Sequence, residues 1–597
     1  MKEDIEKRLT SLRDVMRRER LAAFIFPSTD AHQSEYVPDH WKGREWISGF
    51  NGSAGTAVVT MEAAALWTDS RYFLAAEKQL EGTEFQLMKL RVAGTPTIAQ
   101  WLGGQLADSD SKEVGIDGKV VSVAYARQLV DELRGEGGLT LRTNFDPLAA
   151  VWTDRPSLPY NNKVEIQPVE LAGESAEKKL ALIRKALRGL HTDGMLMSAL
   201  DDVAWTLNLR GRDVHCNPVF LSYLLIAPER ATLFIDRRKL TPEVERYLSS
   251  VGVGVEEYAA VGKGLKDYFS YNILMGPKET GEVMPGYVDK HVKVVYADSP
   301  VPAMKAVKTD AEIKGFKAAM LRDGVAMVKF LRWLQPAVEA GGQTEMSVDR
   351  KLTELRAEQK RFRDISFDTI AGYGPHGAIV HYEASPETDV ELRPEGFLLL
   401  DSGAQYQDGT TDITRTIPLG PLTDEQCRIY TLVLKGHIRL AMAKFPDGAC
   451  GTQLDALARE PMWREGLNYL HGTGHGVGSY LNVHEGPHQI RMEYMPAPLR
   501  AGMTVTDEPG LYLQGKFGVR IENTMLVTHY TKGEFGDFLQ LAPLTLCPIS
   551  TTPIVLSMMT QEELDWMNDY HRMVYDRLSP LLDENERQWL ADATAAV

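Results

Sequence analysis

Residues 397–419 read FLLLDSGAQYQDGTTDITRTIPL. Four apolar residues, Phe397 to Leu400, make a strand signal that closes on Asp401, where an unpaired carboxylate would be costly to bury. Asp408-Gly409 is a turn signal, so the chain is expected to double back as a hairpin. On the return limb, period-two alternation sets Asp412 on one face with Thr410, Thr414 and Thr416, and Ile413 and Ile417 on the other. A solvated hairpin explains Asp412 more readily than Asp401, which needs a cation.

Two later segments repeat the pattern of acids among apolar neighbours. In VTDEPGLY, Glu508 lies on the side of Thr506 at a strand end stopped by Pro509 and Gly510. In GVRIENTMLV, Arg520, Glu522 and Thr524 share one face of an expected strand, opposite Val519, Ile521 and Met525. If Asp401, Asp412, Glu508 and Glu522 converge, each close pair repels by about 4 kcal/mol at roughly 4 Å under an effective dielectric near 20, and two divalent cations would remove that penalty.

Seven of the 14 histidines fall between His376 and His488. The segment HGTGHGVGSYLNVHEGPH supplies His471, His475, His484 and His488, with glycines that let a backbone approach a site closely. His484 to His488 also spell HExxH. That motif holds zinc only on a helix, and Gly486 and Pro487 in its interior argue against one.

Around this region the chain is an ordinary globular one, with 44% hydrophobic and 25% charged residues over 597 positions. Its net charge of -16 argues against nucleic-acid binding, and its four cysteines form no CxxC. The charged N-terminus lacks the apolar stretch of a signal peptide, and no window reaches the roughly 20 apolar residues of a membrane helix. A cytoplasmic protein that binds neither nucleic acid nor membrane is expected.

Pro- and Gly-bearing connectors at 157–174 and 298–309 divide the chain in three. The first two parts run in similar order: a charged helix, an apolar strand, then AAALWTDSR in one and ATLFIDRRK in the other. Two similar α/β domains from a diverged duplication are expected. The third part mixes helices opened by capping boxes at Thr309–Glu312 and Thr423–Gln426 with largely antiparallel strands, an α+β arrangement. A last helix from Thr560 carries a stripe of Trp566, Tyr570 and Met573 or Val574 that reads as packing.

Together, Asp401, Asp412, His475, Glu508 and Glu522 resemble the five metal ligands of the pita-bread metallopeptidases in spacing and flanking residues. WISGFNGSAGTAVV and WTDSRYF in the first part extend the resemblance, over nearly the whole chain, to the long, three-domain, cytosolic type of Xaa-Pro aminopeptidase. That resemblance implies two creatinase-like domains, 1–158 and a non-catalytic 159–308, a pita-bread catalytic domain, 309–540, and a C-terminal helical extension, 541–597. It implies a homodimer with two Mn2+ ions per subunit acting on peptides with proline second. It makes His381, in IVHYEAS, and His484, in NVHEGP, substrate histidines. It sets His471 in the same pocket and gives Arg71, in WTDSRYF, a peptide contact.

The oxygen-rich ligand set suits manganese, with Zn2+ and Co2+ as alternatives. The reaction expected is hydrolysis of the bond before a penultimate proline by a water activated by two metal ions. Glu508 would accept the water proton, His381 and His484 would steady the oxyanion, and Arg520 would orient a ligand carboxylate or form a structural salt bridge. A prolidase-type dipeptidase and a non-catalytic peptide-binding protein of the same fold are the rival readings.

Overall fold

The computed structural model describes residues 2–597. The described residues form two compact units, one of residues 2–167 and 174–301, the other of residues 168–173 and 302–597.

The first unit contains two six-stranded mixed sheets of one topology. In chain order the first has strands Ala23–Pro27, Thr56–Thr60, Ala64–Thr68, Phe85–Lys89, Glu113–Ile116 and Thr140–Arg142. The second has Met195–Met197, Ser222–Ile226, Ala231–Ile235, Val253–Glu256, Asn272–Met275 and Lys293–Tyr296. Numbered within each sheet, both run 4-3-2-1-5-6. Both also pair 1 with 2 and 2 with 3 antiparallel, and the other neighbours parallel. The same connections in the same order are what an internal duplication leaves behind.

The second unit is α+β. A 31-residue helix, Asp310–Ala340, starts at the capping box of Thr309 and Glu312, and the boxes at Thr423 and Thr560 open the helices Asp424–Ala441 and Gln561–Leu578. Each satisfies backbone N–H groups that the helix itself leaves unpaired. The strand Phe397–Ser402 is the middle of three, between Ile370–Tyr373 and Ile413–Pro418. Phe397 packs with Ile429, Tyr430 and Val433, while Leu398 and Leu400 pack with Phe330, Leu334 and Val338 of the long helix. Helices therefore cover this strand from both sides, and Asp401 is its one charged residue. The stripe on Gln561–Leu578 is core, with Tyr570 and Val574 buried and Trp566 and Met573 packed against them, but this helix is not the last, because Glu584–Ala593 follows it.

Three expectations need correction. The hairpin limb is not one strand: Gly409–Thr410 and Ile413–Pro418 belong to different sheets, with Thr411 and Asp412 in the break. The stretch 519–527 likewise divides into Phe517–Arg520 and Asn523–Gly533, the first paired with Gly510–Leu513 and the second with Thr504–Asp507. Alternation does not reveal that a strand changes partner midway. The connector at 298–309 holds a helix, Val301–Ala306, and Lys305 and Lys308 within it are buried against Glu485.

One close approach fixes the local geometry. A Cβ on Gly518 would run into the carbonyl oxygen of Gly377, so the strand carrying Arg520 lies directly on the turn at 374–378. Gly518→Ala is expected to lower stability by about 1–3 kcal/mol through overpacking. Thermal denaturation would read this as a fall in Tm, and an unchanged Tm would mean that the turn yields.

Candidate metal centre

The five acids and imidazoles singled out by the sequence meet in the second unit. Asp401 projects near the end of its strand, opposite Ile370 on one side and Thr414 on the other. Asp412 and Glu522 sit in the two strand breaks, and Glu508 follows the last residue of Thr504–Asp507. His475 lies on Gly474–Gly476, where the register against Glu485–Ile490 slips. Ends, breaks and slips free side chains from strict alternation, and in this way they all turn to one place.

Donor atoms of Asp401, Asp412 and Glu522 lie within 4.8 Å of one another, as do those of His475, Glu508 and Glu522, and those of Asp412, His475 and His484. The three sets share Asp412, His475 and Glu522, so the donors form one continuous group with room for more than one cation. His475 Nε2 is 3.4 Å from both Asp412 Oδ2 and Glu508 Oε1, while its Nδ1 donates to the Gly476 carbonyl at 2.9 Å. The outer nitrogen is thus tied to backbone and the inner one faces the acids, the orientation a metal-binding histidine needs.

Neighbours hold the carboxylates in place. Arg520 donates to Asp401 Oδ2 from Nη2 at 2.7 Å and from Nε at 3.1 Å. Thr414 Oγ1 donates to Glu522 Oε2 at 2.8 Å, and Thr506 Oγ1 to Glu508 Oε1 at 3.3 Å. Asp401 Oδ1 is buried with no hydrogen-bond partner among the described residues. A buried anionic oxygen without a donor fits a cation.

The charges are strained in the expected direction. Burial pushes Glu508 up to about 7, with His475 pulling against it and Asp412 adding to the rise. Glu522 is raised well above the usual carboxylate range by burial, then by Asp412, Glu508 and Asp401. Burial also raises Asp401, against the attraction of Arg520. Burial alone would lower His475, but Asp412 and Glu508 outweigh it and raise the imidazole to about 9. Divalent cations would relieve this mutual repulsion, and the four carboxylates with one imidazole form an oxygen-rich donor set suited to hard metals.

The remaining candidates divide. His484 faces His475 edge-on with ring centres 4.4 Å apart. His381 is half-buried in the turn after 374–378, and the carbonyl of its neighbour Val380 accepts from Arg520 Nη2 at 3.3 Å. His471 Nδ1 donates to the Gly472 carbonyl at 2.7 Å, and Nε2 meets Tyr512 Oη at 2.8 Å. Arg520 Nη1 donates to that same phenol at 2.7 Å. Arg520 therefore links Asp401, Tyr512 and the turn of His381, both orienting a carboxylate and forming a buried ion pair. Arg71 lies in the first unit, where Asp69 grips its guanidinium by two 2.8 Å hydrogen bonds.

His488 belongs elsewhere. It is fully buried, donates from Nε2 to the Thr504 carbonyl at 2.7 Å, and sits with Glu485 on a strand. The HEGPH segment is thus not a zinc-binding helix. The sequence reading gave Tyr512 and Thr414 no role because each acts through a partner in another segment, Tyr512 through Arg520 and Thr414 through Glu522. For Thr414 there was a signal, since it shares the alternating face of Asp412.

Comparison with known proteins places these features in a lineage. The model described as metallopeptidase family M24 matches residues 314–529, and the C-terminal region of peptidase M24 matches 537–597. Creatinase/prolidase N-terminal domain models match 8–144 and 154–312. A probable Xaa-Pro aminopeptidase P from Paracoccidioides brasiliensis is 40% identical over 100% of this chain and 99% of its own length. Aminopeptidase P1 of Lotus japonicus is 38% identical over 99% of this chain and 100% of its own. Among solved structures, the X-prolyl aminopeptidase of Caenorhabditis elegans, a cytosolic enzyme with a di-nuclear active site, aligns with a TM-score of 0.94 at 35% identity over 99% of this chain and 100% of its own. The prolidase of Pyrococcus horikoshii aligns at 0.50 and 26% identity, over 62% of this chain and 99% of its own.

Proposed function

The chain belongs to metallopeptidase family M24, with the full-length architecture of the Xaa-Pro aminopeptidase P group, and from that premise we propose that it removes the N-terminal residue from peptides whose second residue is proline. The observation that carries the reading is the set of overlapping donor triads in an architecture shared end to end with X-prolyl aminopeptidases. The prolidase alignment spans 62% of the chain, which favours the aminopeptidase over the dipeptidase.

Asp401, Asp412, His475, Glu508 and Glu522 would hold two metal ions, and the oxygen-rich set favours Mn2+. Bound there, the pair supplies Lewis-acid polarisation and makes water acidic enough to attack at neutral pH. Glu508 accepts the proton of the attacking water on a carboxylate oxygen and delivers it to the leaving proline nitrogen. His484, beside His475, and His381 donate to the oxyanion that develops on the scissile carbonyl. Arg520 and Tyr512 fix Asp401 and His471 so that none of these groups must reorganise during reaction. Arg71 contributes to peptide binding in the manner the resemblance implies.

By the same resemblance, the working form is a cytoplasmic homodimer whose subunits divide at 1–158, 159–308, 309–540 and 541–597. No described helix is long and apolar enough to cross a membrane. The test of function is a peptide panel with Mn2+ and after chelation. Arg-Pro-Pro should release arginine and Arg-Ala-Pro should remain intact. Cleavage of both would overturn the proline assignment, cleavage of Xaa-Pro dipeptides alone would make the protein a prolidase, and no cleavage after Mn2+ addition would make it a binding protein.

A further inference from the structure

The histidine cluster contains a member outside the reaction, His376, that holds a buried carboxylate. His376 lies in the turn at 374–378, and its Nδ1 donates to Glu345, 2.9 Å from Oε1 and 3.0 Å from Oε2. Tyr382 Oη donates to Glu345 Oε2 at 2.7 Å, and the backbone N–H of Tyr373 donates to Oε1 at 2.8 Å. The His376 and Tyr382 rings stack with centres 4.4 Å apart. Glu345 is fully buried. It is the first residue of the helix Glu345–Ala357, where the helix dipole favours an anion.

All three donors come from one excursion of the chain, from the end of the strand Ile370–Tyr373 to Tyr382. Its two ends and its middle thus meet on a single carboxylate, through charge-assisted hydrogen bonds stronger than neutral ones. The far side of the excursion is equally constrained. A Cβ on Gly372 would lie 2.8 Å from Gly377 Cα, and Gly518 packs directly on Gly377. Val380, whose carbonyl meets Arg520, and His381 are carried between these fixed points.

We infer that Glu345, with His376 and Tyr382, is a positioning clamp that sets His381 and the Val380 carbonyl against the metal centre. None of the three needs to touch substrate, because they act through His381. This rests on the peptidase reading of the site, and it assigns to a buried carboxylate outside the five-residue cluster the alignment of one wall of the pocket. Loss of the clamp leaves the donors in place but lets the excursion drift, and a misplacement near 1 Å at a reacting centre is worth about a hundredfold in rate.

The test uses the full chain with Tyr382→Phe, Glu345→Gln and His381→Ala, and two readouts. In hydrogen exchange on the metal-free protein, both clamp variants should speed exchange in peptides covering 373–382 and leave the rest of the second unit unchanged. In kinetics of the Mn2+-loaded protein, Tyr382→Phe should lower kcat/KM on Arg-Pro-Pro about tenfold in the wild-type background but less than about twofold in the His381→Ala background, as residues acting as a unit do. Metal content should stay constant. Unchanged exchange at 373–382, or equal losses in both backgrounds, would overturn the clamp. A wild-type protein that cleaves nothing would instead defeat the peptidase reading, while the exchange result still judges whether the clamp holds the turn. Glu345→Gln keeps one acceptor oxygen, and Tyr382→Phe alone decides the matter if Glu345→Gln does not fold.

Discussion

Glu508→Gln is expected to lower kcat/KM on a tripeptide with proline second by about a thousandfold, within the 10²–10⁴ range of a lost general base. The amide matches the carboxylate in size and can still accept the hydrogen bond from Thr506 Oγ1. It cannot take up a proton from water. A thousandfold loss corresponds to about 4 kcal/mol of transition-state stabilisation. Metal content must be measured in parallel by mass spectrometry, because Glu508 also faces His475 at 3.4 Å and serves in a donor cluster. A variant that binds both ions and turns over within tenfold of wild type would remove Glu508 from the proton path.

The chelated protein should lose stability as pH rises from about 5 to 9, and metal should reverse the trend. Glu508 titrates near 7 in the folded chain against 4.5 for an ordinary glutamate. Between those values the folded state keeps a proton that the unfolded state has released, so stability falls as pH climbs through the interval. His475 acts in the same sense: its stabilising proton, secure below 6.5, is lost as pH passes about 9. Glu522 and Asp401, both raised, add to the fall. Metal binding requires the deprotonated donors and so strengthens with pH. Mn2+ at about 100 times its Kd should add roughly 2.7 kcal/mol. Thermal denaturation at pH 5, 7 and 9 should therefore show a gap between loaded and chelated protein that widens with pH. A chelated protein whose Tm rises over that range would contradict this assignment of charges.

Much of the architecture was legible because local chemistry carries it. Thr309, Thr423 and Thr560, each with Glu or Gln three residues on, mark helix starts that the structure reproduces. The duplicated α/β plan was visible as order and spacing, and the two sheets share one strand order. Harder to read were the places where a strand leaves one partner for another. Asp412 and Glu522 lie at such places, and the backbone there is committed across the fold: Glu522 N–H donates to the Thr414 carbonyl at 3.1 Å.

The role of Arg520 illustrates the same limit. Alternation put it on the face of Glu522, yet its guanidinium serves Asp401, Tyr512 and Val380, residues drawn from three other segments. His376 and Glu345 are 31 positions apart and meet through the packing of a helix end on a turn.

The sequence by itself drew attention to Asp401: a carboxylate closing an apolar strand must find a cation or a donor, and that requirement is written in the residues around it, whereas the five-residue set came from the family resemblance. Tertiary structure alone decided the aim of each group. Which oxygen of Asp401 is held by Arg520 and which is left for a cation depends on strands that change partners and on a turn fixed by Glu345. Those are bonds between distant segments, and their energies appear only when the chain has folded.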